Sequence, residues 1–402
     1  MNKIFKNICW IAENGFDDSG ASMFSLRMND IYGINVLFKS TSNLYKNTEG
    51  IDIYTSYYDL YDKVRKLKPK VLFFVLPLFN DRTRKELANF VSTLFLLRRK
   101  LGCKIIMIDC SRRGVLLGGR DSLDKLEDLE QNVIKEQFDS IWSITGLSKD
   151  NWDRFTKDYK KVDFNIYTIK DKTIENRERT IGYCSRVVLF KGSGRLLRQM
   201  VEALNSEPKI PYVYAGANYS IPRWVNKHTF GGDFSILGIF MKDSKLKDGY
   251  IPIVDYNLPP QIDKCSLYPR FTFQEQDLVF SKVGVAVCPT LAREYSEHLK
   301  KDDSYIIKNQ KYWEIGMEYS NYELIDYGIP VMFSRDYCNT YDETMIEEFP
   351  ELVYDNLEDC LQYVQENYDK LQESAYKQKE WLTKRVKQVN DNLGKMLEGL
   401  VK

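Results

Sequence analysis

Ile181 to Leu197 reads IGYCSRVVLFKGSGRLL. A short apolar run leads into a turn carrying Arg186, Lys191, Gly192 and Gly194, and a helix-like stretch follows at once. A buried strand feeding a helix has this pattern. Downstream, KIPYVYAG (209–216), YIPIVDY (250–256), VGVAVCPT (283–290) and IPVMFS (329–334) repeat the apolar runs. Upstream, NICWIA (7–12), INVLFKS (34–40), VLFFVLP (71–77), KIIMIDC (104–110) and SIWSI (140–144) form an earlier series of the same kind. Helical spacing is read near 22–31, 81–101, 121–137 and 148–157, with Leu87, Phe90, Val91, Leu94 and Leu97 marking the second. Alternating helices and near-continuous apolar strands predict parallel sheets covered on both faces.

The expectation is therefore an α/β chain of two Rossmann-like domains facing across a cleft. A charge-dense stretch at 157–179 separates the two series. It places an N-terminal domain at 1–170, a C-terminal domain at 171–375 and a basic amphipathic helix at 376–402 that packs back. The 402-residue length agrees, since single cores seldom grow past about 250 residues. Ligands of such sheets bind beyond the carboxyl ends of the strands.

Composition removes several classes of chemistry. The chain holds only two histidines, His228 and His298, and its eight cysteines form no CxxC pair. A Ser-His-Asp triad, a His-rich metal site and a zinc ribbon are all hard to build from that inventory. Cysteines inside strand-like runs read as small buried hydrophobes of a reducing compartment. The start, MNKIFKNICWIAENGF, lacks the features of a signal peptide, and the longest apolar stretch (71–79) falls short of the roughly 20 residues that cross a bilayer. A cytoplasmic monomer with no membrane partner is expected.

Charge is uneven along the chain. Between Lys63 and Arg120 fifteen basic residues face three acids, whereas between Asp342 and Glu373 eleven acids face one base. The first segment is suited to nucleic-acid phosphates. Solvated helix faces paired with acids elsewhere would give the same count.

Three motifs carry candidate chemistry. ENGFDDSGASMFSL (13–26) follows the first strand, and Gly20 and Ser22 open a helix whose free amides suit an anion. It is neither GxGxxG nor a P-loop, which disfavours nicotinamide cofactors and P-loop hydrolysis. In the opening stretch, Arg186 at a strand end and Lys191 with Gly192 at a helix start suit a diphosphate. EIGMEYSNYELIDYGIPVMF (314–333) puts Glu318, Tyr319, Ser320 and Glu323 on a helix that ends at Gly328 before a buried strand. Glu323 there is placed to hold sugar hydroxyls and the amides of Tyr319 and Ser320 to meet phosphate; two glutamates on a solvated face would read alike.

Together these blocks resemble GT-B nucleotide-sugar glycosyltransferases, and more narrowly the DNA α-glucosyltransferases of T-even bacteriophages. The resemblance lies in G-x4-G-x-S-x-F-S-L (Gly15, Gly20, Ser22, Phe24, Ser25, Leu26), R-x4-K-G (Arg186, Lys191, Gly192) and E-Y-S-x-x-E-L (Glu318, Tyr319, Ser320, Glu323, Leu324), in the same order and at similar spacing. It implies retaining transfer of a sugar, glucose first, from a UDP-sugar to the 5-hydroxymethyl group of a modified pyrimidine such as hydroxymethylcytosine in double-stranded DNA. Arg186 and Lys191 would bind the diphosphate, Glu323 the ribose, Gly20 and Ser22 the phosphate or sugar, and Tyr319 and Ser320 the β-phosphate. No Asp-x-Asp occurs in the chain, so no metal is expected to be required.

The family carries a His-Asp pair where this chain reads IIMIDCSRRGV. Asp109 is the remaining candidate near the reacting hydroxyl, although an Asp at a strand end is also a routine cap. The base would be flipped out of the duplex. Expected phosphate contacts are Lys63, Arg65, Lys66, Lys68, Lys70, Arg98, Arg99, Lys100, Arg112 and Arg113, in a basic segment that includes residues following the third and fourth strands and so lies partly at the rim of the cleft. Two other readings stay open: a GT-B enzyme acting on a cell-wall glycan, protein or lipid, and a non-catalytic nucleic-acid-binding protein on the same fold.

Overall fold

The computed structural model describes residues 5–12, 20–39, 49–75, 84–109, 137–143, 158–174, 176–184, 209–217, 251–252, 265–269, 276–288 and 319–402. The chain divides into two compact units, the first holding Met1–Thr168 with Arg385–Lys402, the second Ile169–Asp302 with Met317–Lys384.

The first unit is built on strands β1 (Ile8–Ala12), β2 (Asn35–Lys39), β3 (Ile51–Tyr54), β4 (Val71–Val75), β5 (Lys104–Asp109), β6 (Ser140–Ser143) and β7 (Tyr159–Lys161). They lie in the order β3-β2-β1-β4-β5-β6-β7, every pair parallel. All residues of β1 and β4 are buried, as a sheet covered on both faces requires. On one face Cys9, Ile11, Leu72, Phe74, Ile105 and Met107 meet Leu60 and Val64 of α2 (Tyr57–Leu67) and Leu94 and Leu97 of α3 (Arg84–Leu101). On the other, Trp10 packs edge-on to Phe24 of α1 (Gly20–Tyr32) at 4.9 Å between ring centroids and lies 5.3 Å from Phe73, which meets Trp142 at 5.2 Å. Such pairs add about 0.5–1.5 kcal/mol each beyond burial. The Trp10 indole N–H donates to Ser25 Oγ at 3.0 Å, so the ring's polar atom is satisfied in the core.

The second unit carries β8 (Ile181–Cys184), β9 (Tyr212–Ala217), β10 (Ile251–Pro252), β11 (Cys265–Pro269), β12 (Val285–Cys288), β13 (Val331–Ser334) and β14 (Val353–Tyr354), in the order β10-β11-β9-β8-β12-β13-β14. The expected parallel pairing holds except at one edge, where the two-residue β10 runs antiparallel to β11. Helices α4 (Gln276–Ser281), α5 (Tyr319–Asp326), α6 (Arg335–Tyr341) and α7 (Thr344–Glu348) belong to this unit.

The last helix, α8 (Leu357–Val401), starts well before the expected Tyr376 and is interrupted only at Asn367. Acidic residues between Asp342 and Glu373 hide an apolar stripe in which Cys360, Leu361, Val364, Tyr368 and Leu371 are all buried. Side-chain amides along α8 bind main chain of the second unit. Gln365 reads both polar groups of Ile210, Gln378 reads both of Val331, and Gln372 donates to Gly284 O. These three partners precede or begin β9, β13 and β12, so this part of α8 runs along the amino edge of the sheet and leaves the carboxyl edge clear. Past Lys384 the helix belongs to the first unit, where Asn390 binds both polar groups of Tyr167 and Arg385 pairs with Asp163 at 2.6 Å. No helix among the described residues is long and apolar enough to cross a membrane.

Candidate functional site

The strand order of the second unit reverses between β8 and β12, so the crevice beyond their carboxyl ends is where a ligand of such a sheet sits. β12 pairs β8 through Val285↔Ile181 and Ala286↔Gly182, and two more residues along both strands bring Cys288 level with Cys184. Helix α5 begins at this edge. Asn321, in its first turn and 5% exposed, donates from Nδ2 to Cys288 Sγ at 3.5 Å. Glu323 follows half a turn on and is 7% exposed, a depth at which a carboxylate needs hydrogen-bonding company. Tyr322, Leu324 and Ile325 bury the remainder of the helix.

Glycine chemistry ends α5. Gly328 takes φ +75°, the left-handed region that costs it nothing, and Tyr327, Gly328 and Ile329 return their N–H groups to Glu323, Ile325 and Leu324. Pro330 and β13 come next, and Ser334 at the end of β13 caps α6 by accepting from Tyr337 N at 3.1 Å. The carboxyl edge thus gathers the ends of β8, β12 and β13 with the amino terminus of α5, whose free amides and positive dipole end suit phosphate oxygens. Burial pushes Cys184 far above the usual thiol range and Cys338 up to about 12.

Of the residues expected in the donor site, Tyr319, Ser320 and Glu323 lie together on α5 at this edge. Arg186, Lys191, Gly192 and Glu318 fall outside the described residues; Arg186 follows the last residue of β8 by two positions in sequence. Gly20 and Ser22 stand in the first turn of α1, in the other unit, just after the segment that leaves β1. Asp109 is the last residue of β5, beside Ser143 of β6 and so at the carboxyl edge of the first sheet.

The described phosphate candidates lie away from the expected rim. A helix after a parallel strand runs back toward the sheet's amino edge, and the basic clusters lie where two such helices finish. Arg65 and Lys66 occupy the last turn of α2, Lys68 caps it, and Lys70 immediately precedes β4. Arg98, Arg99 and Lys100 occupy the last turn of α3, just before β5. All therefore stand at the amino edge of the first sheet, not at the rim where ligands of such sheets bind. They also make local contacts. Cations in a last turn complement the helix dipole, Lys63 pairs with Asp52 at 2.7 Å, and Arg98 pairs with Asp139 at 2.8 Å. Arg65 lies 3.6 Å from Asp62, Lys70 Nζ donates to Val401 O, and Arg99 covers the Phe95 ring. Arg112 and Arg113 lie outside the described residues.

Three residues near the carboxyl edges of the two sheets were not singled out from sequence. Asn321 sits inside the quoted motif, and its amide is what ties α5 to β12. Arg84 and Lys85 open α3 beyond the carboxyl end of β4, beside the β1/β4 reversal in strand order. Position relative to the preceding strand was the available signal.

No protein-family profile matches the chain, and no curated protein matches it in sequence. Solved structures do match in fold. An α-glucosyltransferase in complex with UDP and a 13-mer DNA containing a central A:G mismatch aligns over 93% of this chain and 94% of its own, with a TM-score of 0.59 at 15% identity. An α-glucosyltransferase with UDP-glucose and DNA containing an abasic site gives the same TM-score, identity and coverage. A glycosyltransferase from Rickettsia africae aligns over the whole of both chains with a TM-score of 0.53 at 9% identity. At these identities the likeness is one of fold, and the fold is GT-B: two Rossmann-like units and a C-terminal helix that returns to the first.

Proposed function

We propose that the protein is a retaining glycosyltransferase that moves a sugar, with glucose the first candidate, from a UDP-sugar to the 5-hydroxymethyl group of a modified pyrimidine in double-stranded DNA. One observation carries the reading. Helix α5 presents Tyr319, Ser320 and a buried Glu323 at the β8/β12 reversal, beside the strand that Arg186, Lys191 and Gly192 follow. The DNA acceptor draws its support from the fold neighbours crystallised with UDP and DNA.

In this reading the α5 amides and the two cations take the diphosphate, and Glu323 accepts from the ribose hydroxyls. As the bond from the anomeric carbon to the β-phosphate oxygen breaks, the hydroxymethyl oxygen bonds that carbon from the same face. Its proton passes to the departing phosphate oxygen, which leaves UDP and an α-linked sugar. Positive charge at the phosphates stabilises the leaving group, and no divalent ion is required. The phosphate oxygen serves as base, which fits a chain without a histidine beside Asp109. The enzyme acts as a monomer on a base extruded from its duplex, in the cytoplasm of a phage-infected cell.

The decisive assay incubates the protein with UDP-sugars and duplexes carrying hydroxymethylcytosine, hydroxymethyluracil or neither, then measures nucleoside masses after digestion. Added hexose on a hydroxymethylated nucleoside is expected, with DNA affinity that falls steeply as salt rises. UDP-sugar turnover on another glycan, protein or lipid with no mass gain on DNA would assign the acceptor elsewhere, a reading the Rickettsia neighbour keeps in view. Glu323→Gln keeps the size of the side chain and removes its charge. It should weaken UDP binding about tenfold, the difference between charged and neutral hydrogen bonds, and leave uridine-free sugar phosphates unaffected in a competition titration.

A further inference from the structure

Resting on the reading of α5 as the donor helix, we propose that Asp326 is a positioning residue for the donor site. It fastens the segment that enters the second unit to the last turn of α5, and thereby sets Glu323 and the α5 amino terminus against the end of β12.

Asp326 is fully buried, and its two carboxylate oxygens accept from the backbone N–H groups of Lys170, at 2.7 Å, and Asp171, at 3.2 Å. Asp171 holds φ +49°, in the left-handed region that non-glycine residues, Asp and Asn apart, seldom enter. The neighbouring contacts converge on the same helix end. Lys172 pairs with Asp277 at 3.0 Å, and the Tyr327 hydroxyl donates to that carboxylate. Arg177 donates to Gly328 O and, at 2.8 Å, to Gln372 Oε1, while Lys379 of α8 holds Asp171 at 2.8 Å.

An eight-residue helix has little stability of its own, so its ends fix its setting. At its amino end Asn321 meets a sulfur acceptor, a weak bond, while at its carboxyl end a buried carboxylate takes two N–H donors. Asp326 stands three residues beyond Glu323 and shares its side of the helix. On the first unit's side, Asn390 binds both polar groups of Tyr167, and Thr168 Oγ1 donates to Asp30 at 3.0 Å. Only Ile169 separates the last residue held there from the first held by Asp326. A change in the path of this segment therefore reaches α5 with almost no slack.

The test is calorimetric titration of the full chain with UDP, beside thermal unfolding of each variant. Asp326→Ala should weaken UDP binding about tenfold, within the range of ordinary coupling free energies. Asp326→Asn, which keeps one acceptor, should weaken it less, and its result decides if the alanine variant fails to fold. Gln378→Ala is the comparator. It removes an equally buried clamp on two backbone groups at the amino edge, and should lower the melting temperature without changing UDP affinity. Wild-type UDP affinity in both Asp326 variants, or an equal loss in Gln378→Ala, overturns the positioning role. A wild-type protein that binds no UDP removes the donor-site reading and this inference with it.

Discussion

Arg186→Ala and Lys191→Ala are each expected to lower sugar transfer by about 10²- to 10³-fold, the usual consequence of deleting one group that stabilises charge developing in a transition state. The leaving group here is a nucleoside diphosphate, and the described part of the site offers little full positive charge to meet it. The α5 amides contribute a partial charge at the helix end, and burial keeps Cys184 and Cys338 as neutral thiols. In the proposed reading, the cations that follow β8 in sequence supply it. Arg186→Lys should recover little, because an ammonium cannot reproduce the planar two-point grip of a guanidinium on phosphate. The double variant should fall less than the product of the singles, as groups that act as a unit do. Single-turnover transfer from UDP-glucose to hydroxymethylated DNA is the measurement. Undiminished transfer by both single variants would move catalysis off the β8 turn, and a wild-type protein that binds DNA but turns over no sugar would leave the non-catalytic reading standing.

Legibility from sequence followed burial. NICWIA and VLFFVLP were readable as strands because β1 and β4 are covered on both faces, and that cover imposes an unbroken apolar run. Edge strands have no such requirement. β3 (IDIY) exposes Asp52 and β7 (YKK) exposes two lysines, and each is a strand because a neighbour's backbone pairs with it. Helix α2 vanished into its own charge, since its packing rests on Leu60 and Val64 amid acidic and basic neighbours. Helix α5 was legible because a helix, Gly328, Pro330 and a strand follow one another at fixed offsets. Composition could not say which end of a sheet a charge occupies. The run KVRKLKPK counts the same whether it follows a strand or precedes one, and here it precedes β4, at the amino edge of the sheet. Nor did Gln365, Gln372 and Gln378 announce themselves, because a glutamine on a long helix looks solvated until the main chain it binds is seen.

The amino edge of the second sheet depends most on the smallest residue in it. Gly284→Ala is expected to destabilise the second unit by about 3 kcal/mol, near the upper end of what overpacking usually costs. A methyl at that position would stand 1.6 Å from Tyr368 Oη, 2.7 Å from Cζ of the same ring and 2.8 Å from Glu178 O. Neither neighbour can withdraw cheaply. Tyr368 is buried on α8, held on either side by Gln365 on Ile210 and Gln372 on Gly284 itself, and Glu178 is fixed by its N–H, which donates to Ser281 O at 2.8 Å. Gly284 cannot move instead, since its N–H donates to Thr180 O at 3.2 Å and its carbonyl accepts from Gln372 at 2.7 Å. Two other glycines calibrate the effect. Gly102, at φ +63° with open space around it, should lose only the roughly 1 kcal/mol of a left-handed alanine. Gly399, inside α8 with nothing nearby, should gain a similar amount as alanine from helix propensity. The clash is also separable from the glycine itself. Tyr368→Phe removes the nearest atom, so Gly284→Ala should cost distinctly less in the phenylalanine background than in the wild type, a coupling that urea midpoints of the four proteins in the cycle would measure. Equal costs in the two backgrounds would mean that α8 does not press on β12 at this point.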